Sequence, residues 1–339
     1  YYLSLWYRRD ETAQRLGWAS IAGAIGSSIR GLIAFGITQI PTSDAVNSWQ
    51  WLFIIFGISS VLVGIFCLLI LPNKPESALF LTKEERQLAV DRIIKDREIS
   101  LAAYSWSWKQ VVSVLTDWKL YFYFIIFVAS AVSVSGGKMN LPEIIDEMGN
   151  WSKPVSLALT TPPHLIPCFT IYLFSWLSDK YLQRAYFVIG LYLILALGIL
   201  LIMFVPEQHI GVRYFGVCLF IIGYNGSIPI RNAWAGDNFS GLTRRAVAIG
   251  ILFMGDSAGY FIGSQAYFDP PQYIMGHTIA LSCIALGIIT VLGLRIILYI
   301  INKNRNIIQQ NVEKREQAFV KYGGENMIGD RHPDYRYSL

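Results

Sequence analysis

The chain has 339 residues, 54% of them hydrophobic and 15% charged, with a formal net charge of +5. Soluble domains carry about 25% charged residues, and the mean hydropathy of +0.43 points away from them. Apolar residues gather in blocks of about 20, the length a helix needs to cross roughly 30 Å of hydrocarbon, and helices without a polar face exclude an ordinary soluble fold.

In chain order, segment 1–7 reads as the end of an earlier apolar helix, since Tyr1-Tyr2-Leu3 carries no methionine and no signal peptide precedes the first span. Spans are expected at 18–39, 50–71, 118–140, 155–178, 185–205, 211–233, 246–268 and 276–301. Pro72 and Pro75 stop the second. The linker 72–117 holds Thr82-Lys83-Glu84-Glu85, a capping box, ahead of Arg86–Ile94. A short amphipathic helix against the membrane or the bundle is expected there. Segment 302–339 is a polar tail. Cys67, Cys168, Cys218 and Cys283 lie singly in spans and read as small hydrophobes, with no disulfide framework or metal site.

The connections alternate in charge. Segments 1–17, 72–117, 179–184, 234–245 and 302–339 hold 21 Lys and Arg, whereas 40–49, 141–154, 206–210 and 269–275 hold Lys153 alone. The positive-inside rule places the basic set, with both chain ends, in the cytoplasm. The order is two spans, a long linker and six spans. Many transporters have two six-helix halves. The expected fold is therefore all-α: 1–71 ends an N-terminal half, 72–117 is the central loop, 118–301 is a complete second half, and about four spans are missing before residue 1.

Several stretches resemble the major facilitator superfamily and, within it, the fungal allantoate permease-like anion:cation symporters. Tyr2–Glu11 is similar to that family's exit from its fourth helix, and Gly23, Gly26, Gly31 and Gly36 to its small-residue fifth helix. Leu71–Glu76 and Leu81–Glu85 are similar to its central loop. Ser178-Asp179-Lys180 with Arg184 looks like its acidic-basic loop motif, and Trp234, Asn238, Gly241, Thr243, Arg244 and Arg245 like its loop before the penultimate helix. Gly329–Tyr337 is similar to its ending. The resemblance implies proton-coupled uptake of a small organic anion (a ureide, a vitamin-like carboxylate, nicotinate or a sulfonate) across the plasma membrane. It implies a monomer, no cofactor, and charge contacts at Asp179, Lys180 and Arg184 that stabilise one state of the transport cycle.

Charges within spans are costly and usually face a polar cavity. Lys138, in Ser135-Gly136-Gly137-Lys138-Met139-Asn140, is either a point charge for an anion or a chain snorkelling to the outer interface. Asn140 ends the same stretch as a further substrate candidate. Arg231 could hold a carboxylate or sulfonate bidentately, but an anchor at the cytoplasmic interface is the favoured reading. Tyr224 and Asn225 lie deeper and are better candidates for lining a cavity. Arg30 binds substrate or forms an ion pair with Asp256. Asp256 is a proton carrier or a counter-ion. His164 titrates near neutral pH or, the favoured reading, is a hydrogen-bonded packing residue. Arg244 and Arg245 read as topology determinants with a gating contact to Asp237.

No nucleotide-binding or HExxH signature occurs, and no nucleic-acid partner is expected. The four histidines, 164, 209, 277 and 332, are scattered, which disfavours a membrane-embedded enzyme. A nutrient receptor with the same fold stays open. Substrate sites in this fold lie between the halves, so the 339-residue chain alone is not expected to transport.

Overall fold

In hydrocarbon every backbone N–H and C=O must find its partner within the segment, so long apolar runs become helices. The computed structural model describes residues 2–38, 48–97, 108–149, 151–268, 273–311 and 335–339. Their helices are α1 (Thr12–Thr38), α2 (Ser48–Ile70), α3 (Lys83–Arg97), α4 (Trp108–Leu115), α5 (Trp118–Met139), α6 (Leu141–Gly149), α7 (Lys153–Leu159), α8 (Thr161–Tyr181), α9 (Arg184–Phe204), α10 (Ile210–Asn238), α11 (Leu242–Gln265) and α12 (Ile274–Gln309). Among the described residues there is no strand. Positions 329–334 of the expected ending, and 40–47 and 269–272 of the connections, lie outside them.

Among the described residues, seven helical segments are long and apolar enough to cross a membrane. Seven of the eight expected spans fall on them. The eighth, 211–233, falls on α10, which has the length but carries Arg213, Asn225, Arg231, Asn232 and Asp237. From Gly216 onward α10 is almost wholly buried, so protein rather than lipid meets its polar groups. The fourth expected span is two helices, α7 and α8, meeting at Thr160, where Pro162 and Pro163 open the second.

Two departures concern the connections. Segment 141–154 is largely helical, because α6 turns Leu141, Ile144, Ile145 and Met148 inward at helical spacing. In the linker, α3 forms behind its capping box: Glu85 Oε2 accepts from Thr82 N at 2.8 Å. That contact holds the Glu85 carboxyl below its ordinary range. The expected amphipathic face of α3 is corrected. Leu88, Ala89 and Val90 are consecutive and so point in three directions, and Leu88 is 70% exposed.

The six-helix half packs as α9 on α10, α5 on α11 and α12, and α8 on α10. Small residues set these contacts. A Cβ at Gly223 would come within 2.5 Å of Leu191 O, and one at Gly259 within 2.7 Å of Val128 O, so both pairs meet backbone to backbone. Helix α1 lies along α8 and α10. Its glycines Gly23, Gly26 and Gly36 face open space. Helix α2 packs mainly on α1 and is exposed along its length, with Leu68 at 86%.

Candidate functional site

A cavity of about 700 Å³ opens between α1, α2, α5 and α8 at the end of the bundle away from the basic loops. Three cationic or titratable side chains enter it from three helices: Arg30, Lys138 and His164. Ser27 adds a hydroxyl, while Phe53 and Phe56 supply apolar wall. No carboxylate lines it among the described residues. Lys138 also rests over the Tyr224 ring, its Nζ 5.4 Å from the centroid. This is cation–π geometry, and the lysine does not snorkel outward. His164 is 5% exposed and its Nδ1 has no partner among the described residues. That burial fits the packing half of the favoured reading, while Nδ1 adds no hydrogen bond to it among the described residues.

The other intramembrane charges lie elsewhere. Arg231 Nη2 donates to Asp256 Oδ1 at 2.8 Å, and the guanidinium stacks over Phe127 at 4.5 Å. The side chain is 1% exposed on that pair. Arg231 is thus no interfacial anchor, because α10 continues past it to Asn238. The alternative reading of Arg30, an ion pair with Asp256, is not what the described residues show, since Asp256 pairs with Arg231. Tyr224 is buried in contact with the Tyr260 hydroxyl, beneath the cavity wall. Asn225 is 9% exposed on the same helix. Asn140 caps α5 and does not line the cavity.

A second constellation closes the opposite, basic face. Asp179 accepts the amides of Ala13 at 3.2 Å and Gln14 at 2.7 Å, in the first turn of α1. A carboxylate there satisfies orphan donors and complements the helix dipole. Arg184, fully buried, pairs with Asp179 at 2.9 Å and Asp237 at 2.8 Å, and its Nη2 donates to Arg9 O at 2.6 Å. Lys180 stays outside this network, over the Trp176 ring.

The expected contact of Arg244 or Arg245 with Asp237 is not made. Arg244 pairs with Asp117 at 2.9 Å, and Arg245 Nε donates to Phe239 O at 3.2 Å. Both arginines are buried, because packing at the α10–α11 corner encloses them. Asn238 donates to Tyr123 Oη at 2.6 Å. Lys119, unmarked in the sequence reading, is buried against Asp117 at 3.4 Å, Asn238 O at 3.2 Å and Tyr337 Oη at 3.3 Å. Burial pushes the Tyr337 phenol up to about 12. Asp117 had a visible signal: it precedes an apolar run and caps α5 by accepting from Lys119 N.

A family model described as Major Facilitator Superfamily matches residues 1–264. An uncharacterized transporter of Schizosaccharomyces pombe is 27% identical, over 94% of this chain and 65% of its own length. The high-affinity nicotinic acid transporter of Saccharomyces cerevisiae is 28% identical, over 99% of this chain and 62% of its own. The MFS-type transporter cnsO of Penicillium expansum is 29% identical, over 84% and 57%. The chain thus spans about 57 to 65% of the length of these relatives.

Proposed function

The chain belongs to the Major Facilitator Superfamily, and on that premise we propose that it is part of a proton-coupled symporter for a small organic anion. The observation that carries this reading is the cavity: Arg30, Lys138 and His164 converge with no carboxylate lining it among the described residues. Two fixed positive charges in a low-dielectric wall attract an anion far more strongly than they would in water. Phe53 and Phe56 suit a flat or apolar body behind a carboxylate or sulfonate. The family name of one relative, a nicotinic acid transporter, agrees with that chemistry.

Arg30 and Lys138 take the anion, and His164 is the side chain at the cavity with an unoccupied nitrogen for a proton. Asp256, held by Arg231, is a counter-ion beneath the site. The Asp179–Arg184–Asp237 network holds the basic face shut while the cavity stays open at the far end. The basic loops put that closed face in the cytoplasm, and the plasma membrane is the setting this uptake requires. The test is uptake of labelled nicotinate, a ureide and a sulfonate by cells expressing the full-length protein, with and without a protonophore. Accumulation of one anion that collapses with the protonophore is expected. Binding without accumulation would replace this reading with a receptor.

A further inference from the structure

Five residues at the end of the chain, Tyr335–Leu339, lie extended across the basic face, and their backbone is read group by group. Asn302 takes Tyr337 from both sides: Oδ1 accepts its N–H at 3.0 Å and Nδ2 donates to its carbonyl at 2.9 Å. Asn238 does the same for Ser338, accepting at 2.8 Å and donating at 3.0 Å. Trp234 Nε1 donates to Ser338 O at 2.9 Å, Arg305 Nη1 to Tyr335 O at 2.8 Å, and Ala185 N to Leu339 O at 3.4 Å. Tyr335 and Tyr337 are 2% and 8% exposed. Side-chain amides paired with backbone in this way recognise an extended strand independently of a sheet.

One contact of the segment crosses to the other side. Arg9, just before α1, donates to Arg336 O at 3.4 Å and places its guanidinium 4.7 Å from the Tyr335 ring centroid. The Arg9 carbonyl is at the same time held by Arg184. The tail thus adds a further hold on the segment leading into α1, beside Arg184 on the Arg9 carbonyl and Asp179 on the first turn of the helix.

We propose that the basic face carries a peptide-reading seat, built by Asn238, Asn302, Trp234 and Arg305, whose ligand is the chain's own Tyr335–Leu339, and that seating it latches Arg9 and α1 against the six-helix half. As a gate this latch rests on the alternating-access reading above; as a contact it does not. An equilibrium that opens this face must unseat the tail or release Arg9 from it, so the seated tail biases the population toward the closed face.

The test uses the full-length protein in lipid nanodiscs, every cysteine replaced by alanine, Cys67, Cys168, Cys218 and Cys283 among them, with one reporter cysteine then introduced and labelled by a bulky water-soluble maleimide. Ala13→Cys reports the seam behind the latch, and Val188→Cys reports the interior of the six-helix half; both positions are 0% exposed. Loss of one desolvated cation–π contact and its hydrogen bond predicts labelling about tenfold faster at position 13. That rise is expected in a chain ending at residue 334 and in Arg9→Ala and Tyr335→Ala, with no change at position 188. A synthetic Tyr-Arg-Tyr-Ser-Leu peptide restores slow labelling in the shortened chain, and a scrambled peptide does not. Unchanged labelling at position 13, equal acceleration at both positions, or failure of the peptide would each overturn the latch. No substrate enters this assay, so its failure leaves the uptake reading standing, and failed uptake leaves the latch standing.

Discussion

The Arg231–Asp256 pair predicts an asymmetry between its two deletions. The guanidinium is 1% exposed and the carboxylate 14%, at 2.8 Å. Removing one partner of such a buried pair costs about 3–5 kcal/mol, because the survivor stays behind uncompensated. The survivors differ. An orphaned carboxylate can take up a proton, whereas a guanidinium keeps its charge in almost any environment. Asp256→Ala therefore costs more than Arg231→Met. The Phe127 contact under the guanidinium is present in the parent too and cancels from the difference, so about 3–5 kcal/mol remains. At about 2–4 °C per kcal/mol the midpoint falls by about 6–20 °C. Joint Arg231→Met and Asp256→Ala replacement removes both charges and recovers most of the loss. Thermal unfolding in detergent, followed by size-exclusion fluorescence, reads all four corners of the cycle. The reasoning is refuted if Asp256→Ala melts with the parent, or if the double replacement is as unstable as the sum of the singles.

Other expectations follow from packing and capping. Gly223→Leu should cost about 1–3 kcal/mol or abolish folding, since its Cβ would strike Leu191 O at 2.5 Å, while Gly26→Leu, facing open space, should melt with the parent. Asp179→Asn should weaken the tie at the start of α1. Loss of a charged cap worth about 1–2 kcal/mol predicts roughly tenfold faster hydrogen exchange at the Ala13 and Gln14 amides. Unchanged protection there would mean the carboxylate contributes nothing to the closed face.

The spans were legible because hydrocarbon length and apolar composition are local properties that a single run of residues carries. Helix α2 reads as clearly in sequence as in structure for that reason. Arg231 was misread because α10 extends beyond its apolar stretch: the continuation to Asn238 is paid for by burial that only the fold supplies. Partner choice was equally hidden. Asp237 is 53 residues from Arg184, and nothing local says that Arg184 reaches it while Arg244 turns to Asp117. The two cavity cations and the histidine were each visible as intramembrane polar residues, but their convergence depends on how α1, α5 and α8 meet. The seat for Tyr335–Leu339 was out of reach, since its readers come from α9, α10 and α12.

The most direct measurement of the central claim is the affinity of the full-length protein for the organic anion proposed as its substrate, compared among the parent, Arg30→Ala and Lys138→Ala. Each substitution removes one of two cations facing a cavity with no carboxylate among the described residues. A charge-assisted contact worth about 1.5–3 kcal/mol predicts affinity weakened by about 10- to 100-fold in each. Normal affinity in both variants would contradict the account, and the anion would have to bind elsewhere.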